Sequence, residues 1–116
     1  MQRIEQYSFG KIVIDGQQFK SDVIIYPDRI DDKWWRADGH NLIISDLPFL
    51  PKHPPNILVI GQGKYGLMKI SQDFQNLIKE NKLDCRFAKT DEAVEIYNNL
   101  WNTGAKDMVA ALHLTC

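Results

Sequence analysis

Apolar and polar positions change rhythm near the middle of this chain. Before the proline cluster the apolar residues come in short runs suited to strands, and after it such runs alternate with segments whose apolar residues recur every three or four positions. Residues 8–14 carry Phe9, Ile12 and Ile14 and meet Asp15-Gly16, a hairpin-type turn, so a first strand is expected there. A second strand is expected over residues 19–26. Its run Val23-Ile24-Ile25-Tyr26 has no polar interruption, which predicts burial on both faces, and Pro27-Asp28 stops it. Trp34-Trp35-Arg36 and Leu42-Ile43-Ile44 read as two more extended pieces forming a second hairpin around residues 37–41. Pro48, Pro51, Pro54 and Pro55 then forbid regular structure and mark a crossover between the halves.

Beyond the prolines, Ile57-Leu58-Val59-Ile60 is a buried strand. Ser71 is a plausible N-cap, Asp73 sits in the first turn, and Phe74, Leu77 and Ile78 make one helical stripe ending near Asn81. Residues 85–88 form a short strand. Thr90-Asp91-Glu92 opens a second helix with Ala93, Val94, Tyr97, Leu100 and Trp101 on one face, and Gly104 stops it. Residues 108–114 are a final strand. The second half therefore reads β-α-β-α-β with parallel strands, and the whole as one α/β domain over residues 1–116 with a central mixed sheet, flanking helices and a small additional β layer from the N-terminal half.

Composition narrows the class. With 44% hydrophobic and 25% charged residues, the chain matches a water-soluble globular domain rather than a disordered or membrane protein. A net charge of −1, with cations scattered among acids, lacks the basic footprint of a nucleic-acid binder. There is no leader-like N-terminal pattern and no apolar run of membrane-spanning length, so the expected compartment is the cytoplasm. Cys85 and Cys116 lack C-x-x-C spacing and read as free thiols.

The main candidate for chemistry is Gly61-Gln62-Gly63-Lys64-Tyr65-Gly66, a literal G-x-G-x-x-G directly after a buried strand. Glycines there let backbone N–H groups turn toward a ligand with no Cβ in the way. Two departures count against a dinucleotide. Leu67-Met68-Lys69-Ile70 separates the loop from the helix cap, and Lys89-Thr90 stands where the ribose-binding acid belongs. Two readings stay open: a tight turn whose glycines take positive φ, or a nest of N–H groups holding a small anion. Gly61, Gly63, Lys64, Gly66, Thr90 and Thr115 all fall at carboxyl ends of the parallel strands, where open α/β sheets bind ligands.

The remaining candidates have bland alternatives. His113 and Cys116 suggest a thiolate–imidazole dyad, but residues three apart on a strand face opposite ways, so His113 reads as a hydrogen-bonded structural histidine. A terminal carboxylate beside Cys116 is expected to raise that thiol's pKa. His40, His53 and His113 show no metal-ligand spacing, and neither a metal nor a cofactor is predicted. Adjacent Trp34 and Trp35 must face opposite sides of an extended segment. One ring then packs in the core, and the other, beside Arg36, either shields an edge or forms an interface.

Five stretches carry a family resemblance: Phe9-Gly10; Asp15-Gly16; Leu58-Val59-Ile60-Gly61-Gln62-Gly63; Ala93-Val94-Glu95 with Tyr97-Asn98; and His113-Leu114-Thr115-Cys116. With them the chain resembles the MTH-domain family, small α/β proteins of unknown function. That family includes an adipogenesis-associated protein and resembles a mitochondrial respiratory complex I assembly factor. The closing H-x-T-C and the strand-G-x-G loop are the specific parts, and residues 34–40 look like a subgroup feature. The resemblance implies a single domain with a central mixed sheet, flanking helices and a smaller β layer, and it supplies no catalytic residues. Two functions remain in play: a non-catalytic module that binds a partner protein or small ligand, with a possible assembly or scaffolding role, and a small anion- or ligand-binding enzyme using residues 61–66.

Overall fold

The protein is described by a computed structural model over residues 3–116; residues 1 and 2 of the expected domain lie outside the described residues. Its centre is a five-stranded mixed sheet with β4 (Val23–Ile25), β5 (Ile30–Asp31), β7 (Ile57–Gln62), β9 (Asp84–Ala88) and β10 (Met108–His113) in the order β5-β4-β10-β7-β9. β10 and β9 flank β7 in parallel register, with Val59 opposite both Ala110 and Arg86. β4 joins β10 antiparallel.

The uninterrupted apolar runs follow from this position. Successive side chains of a strand alternate between faces. Val23, Ile25, Val59, Ala110 and Leu112 enter one core, while Ile24, Leu58, Ile60, Val109 and Ala111 enter the other. Each fully buried aliphatic side chain contributes about 1.5–3 kcal/mol relative to exposure.

The chain runs outward from β7 to β9 and then back over β7 to β10, so right-handed crossovers place the two helices on opposite faces. α1 (Gln72–Glu80) packs Phe74 into the second core, and its cap is the expected one, with Ser71 Oγ accepting from the Phe74 N–H at 3.2 Å. α2 (Thr90–Asn102) packs Ala93 and Tyr97 into the first core, and Gly104 ends it at φ +94°. The Cα radius of gyration of 12.9 Å is that of one packed unit, about 13 Å for a chain of this length.

The N-terminal half departs from expectation in two places. The predicted first strand is two, β1 (Ile4–Ser8) and β2 (Lys11–Ile14), folded at Phe9-Gly10 where Gly10 has φ +75°. The predicted second strand also divides. After Asp15 (φ 48°) and Gly16 (φ 80°), β3 (Gln17–Phe19) completes a three-stranded antiparallel layer, and the chain crosses at residues 20–22 to enter the main sheet as β4.

The predicted hairpin of residues 34–36 with 42–44 does not form. β6 (Asn41–Leu42) instead pairs parallel with β8 (Lys69–Ile70), and residues 34–36 are held by side chains rather than by a ladder. The segment that separates the glycine motif from the α1 cap ends in β8, a short strand, rather than in a helix.

Candidate functional site

Antiparallel pairing of β10 with β4 sets Leu112 opposite Val23, which brings His113, the last residue of β10, beside Asp22, the residue before β4. Asp22 Oδ2 lies 2.8 Å from His113 Nδ1 and accepts from Arg36 Nη1 at 2.8 Å, while Oδ1 accepts from the Leu114 N–H at 2.8 Å. Arg36 Nη2 is 2.9 Å from the same Nδ1. A proton on Nδ1 serves Asp22, and its absence serves Arg36; one nitrogen does not do both. Burial pushes the Asp22 carboxyl up, but His113, the Leu114 N–H and Arg36 together outweigh that and hold it below its ordinary value. His113 and Arg36 are buried, and His113 Nε2 and Arg36 Nε find no partner among the described residues. The cluster is a charged clamp on three segments, since Asp22 O also accepts from the Trp34 N–H at 3.1 Å and the Arg36 guanidinium lies over the Trp34 ring at 4.7 Å.

The glycine motif sits next to this clamp. β7 runs through Gln62, so Gly61 belongs to the strand and the loop proper starts at Gly63. Gly63 has φ +97°, and a Cβ there would stand 2.5 Å from the main-chain oxygen of Cys116 and 2.9 Å from His113 Cδ2. Thr90 Oγ1 accepts from the Gly63 N–H at 2.9 Å and donates to the His113 carbonyl at 2.6 Å. The Lys64 N–H donates to Thr115 O at 2.6 Å, the Leu67 N–H to Cys116 O at 3.3 Å and the Gly66 N–H to Gly63 O at 3.2 Å.

The structure brings Gly61, Gly63, Gly66, Thr90 and Thr115 to one edge, with the loop's donors turned to the chain itself. The donors at Gly63, Lys64 and Gly66 and the Thr90 hydroxyl are occupied by the chain's own acceptors. Nor does Lys64 turn toward a ligand space: its Nζ pairs with Asp91 Oδ2 at 2.9 Å. An open cavity of about 460 Å³ is lined by Arg3, Ile4, Glu5, Asp15 and Asn98, none of them in residues 61–66.

The expected interface triplet separates. Trp34 is buried with its Nε1 donating to Asp46 O at 2.9 Å, Arg36 enters the clamp, and Trp35 alone is exposed, at 78%. Three other apolar residues stand exposed at the carboxyl edge: Phe9 at 52%, Tyr65 at 62% and Leu67 at 51%, with the Phe9 and Tyr65 ring centroids 6.2 Å apart.

His113 and Cys116 make no hydrogen-bonded dyad, although the reason differs from the expected alternation. β10 ends at His113, so strand parity does not extend to Cys116, and the Nδ1 edge of the imidazole faces Asp22 and Arg36. Both cysteines are free, and burial, with Asp84 adding to it, pushes the Cys85 thiol up to about 12. Among the described residues no group of three His, Cys, Asp or Glu side chains is placed to hold a metal, and no helix is long and apolar enough to cross a membrane.

A family model described as a protein of unknown function (DUF498/DUF598) matches residues 4–113. The chain belongs to this family. A conserved hypothetical protein from Pyrococcus horikoshii is 28% identical over 98% of this chain and 99% of its own, with a TM-score of 0.80. The protein MT938 is 20% identical over 100% of both chains, with a TM-score of 0.81. A Mth938-like domain from Bordetella pertussis is 16% identical over 97% of this chain and 85% of its own, at 0.56. The last two show a shared fold, and they agree with the MTH-family resemblance of the sequence.

In this DUF498/DUF598 chain, Asp22 and the inward role of Arg36 escaped sequence reasoning. One signal pointed that way. A histidine closing a strand as apolar as Met108–His113 requires a buried partner, and a lone acid just before the equally apolar Val23–Ile25 was available to supply it.

Proposed function

We propose that the protein is a non-catalytic module that binds another protein through the exposed surface at the carboxyl edge of its sheet. One observation carries this reading: the crevice where open α/β sheets hold ligands is filled by residues 114–116 of the same chain, while apolar side chains remain exposed on the turns to either side. The Thr90 hydroxyl and His113 Nδ1, groups suited to anion contact or proton transfer there, are engaged with the chain itself, and the remaining ring nitrogen, His113 Nε2, is buried. Aromatic side chains left in water on fixed turns suit a protein interface, where such rings supply much of the binding energy. Two free thiols fit a reducing, cytoplasmic setting. Native mass spectrometry of the protein taken from its own cells tests the reading. A stable complex with a second protein is expected, and a retained small molecule with no protein partner contradicts it.

A further inference from the structure

We propose that Phe9, Tyr65 and Leu67 dock a short apolar segment of a partner protein whose flanks carry Asp or Glu; the inference rests on the protein-binding reading above and names the partner's chemistry. The surface is already in place before any partner arrives. Residues 114–116 lie between the two turns and tie both down: Leu114 O accepts from the Gly10 N–H at 2.9 Å and from Tyr7 Oη at 2.8 Å, Thr115 O from the Lys64 N–H at 2.6 Å, and Cys116 O from the Leu67 N–H at 3.3 Å. Turns held this way lose little conformational freedom on binding. The Phe9 and Tyr65 rings already touch, at 6.2 Å between centroids, across turns brought together from distant parts of the chain.

Charge selects the occupant. Lys11 pairs with Ser8 across the Phe9-Gly10 turn, and the Lys89 stem lies against Gly66, where a Cβ would meet its Cγ at 3.2 Å. Neither lysine has an ion-pair partner among the described residues, whereas Lys64 is neutralised by Asp91. Lys11 and Lys89 thus place two cations without ion pairs on the segments that carry Phe9 and flank Tyr65 and Leu67. An apolar centre with a cationic rim complements an apolar segment with an anionic rim. Asp91 and Glu92, in the first turn of α2, make the surroundings mixed in sign. A patterned protein surface fits such a rim better than a uniformly anionic bilayer does.

Panning a random-peptide phage library against the whole protein tests this. Enriched peptides should combine aromatic or aliphatic residues with Asp or Glu. The double variant Phe9→Ser/Tyr65→Ser should weaken the selected peptides by about tenfold or more. Lys11→Glu/Lys89→Glu should weaken them by about tenfold at low salt, with the difference shrinking as salt rises. All four side chains are exposed or half-buried, so unchanged circular dichroism and melting will certify that the variants fold.

Several results overturn the inference: no enrichment, enrichment of basic peptides, or peptides that bind the Phe9/Tyr65 double variant as well as the parent. The last would move the interface elsewhere and leave the protein-binding reading standing, which fails separately if native mass spectrometry finds no partner. Patch-dependent sedimentation with phosphatidylglycerol but not phosphatidylcholine vesicles would assign the surface to lipid. Self-association abolished by the double variant would assign it to a second copy of the chain. Either contradicts the proposal.

Discussion

The floor of the carboxyl edge and the turn tips above it differ in what each leaves unmet. On the floor, Gly63, Thr90, His113, Asp22 and Arg36 bond to one another and to residues 114–116, so the donors that made the glycine motif attractive are engaged. A few ångströms outward, Phe9, Tyr65 and Leu67 keep about half their surface in water. The contrast teaches how to read a glycine-rich loop. Glycines report that something approaches the backbone closely, and here it is the chain's own main chain at Cys116.

The contrast breaks most readily at Gly63. Gly63→Ala combines a left-handed φ of +97° with a Cβ 2.5 Å from main-chain oxygen, and only backbone movement relieves it. The expected loss is about 3–4 kcal/mol in urea denaturation. At Gly61 the obstructing atoms are side-chain ends, Thr90 Oγ1 at 2.9 Å and Leu112 Cδ2 at 3.0 Å, so Gly61→Ala should be milder. Equal effects at the two positions would show that residues 114–116 do not fill the crevice as described.

Asp22→Asn comes next. It leaves Arg36 buried without its counter-charge and should destabilise by about 3 kcal/mol at neutral pH. The pH dependence has a defined sign. Asp22 titrates lower when folded than when unfolded. Between the two values the unfolded chain binds more protons, so stability rises with pH there. The contribution is complete above the unfolded value, roughly pH 4, and is lost as pH falls through the folded one. Asp22→Asn should flatten that acid limb, and an unchanged limb would remove Asp22 from the account.

Thr90→Val keeps the shape but strips the hydroxyl that joins the Gly63 N–H to the His113 carbonyl, and should lower stability by about 2 kcal/mol. Phe9→Ser and Tyr65→Ser should change stability by no more than about 0.5 kcal/mol each, because their rings stand largely in solvent. Large losses there would mean the tips belong to the core, and the comparison would collapse.

How much was legible depended on the range of the interactions. β7, α1, β9, α2 and β10 announce themselves locally, through runs such as Leu58-Val59-Ile60, the Ser71 cap and the Gly104 stop. The gathering of Gly61, Gly63, Gly66, Thr90 and Thr115 at one edge followed from parallel pairing alone. The clamp did not, because Asp22 meets His113 only through the antiparallel β4–β10 ladder, which joins segments far apart in sequence. Residues 34–36 differ for a related reason: a short aromatic run followed by turn residues resembles a strand, but Trp34 is fixed by Asp46 and Arg36 by Asp22, contacts that no local pattern encodes. The turn at Phe9-Gly10 was passed over because one glycine inside an apolar run reads as a tolerated interruption.

The central claim is that the glycine loop's ligand is the chain itself. Titration with inorganic phosphate, followed by amide NMR, addresses it directly. With the donors at Gly63, Lys64 and Gly66 already bonded, the account predicts that the amide signals of Gly61, Gly63 and Gly66 stay in place at millimolar phosphate. A saturable shift of the three together would contradict it, showing that the loop opens to an anion and restoring the ligand-binding reading of the edge.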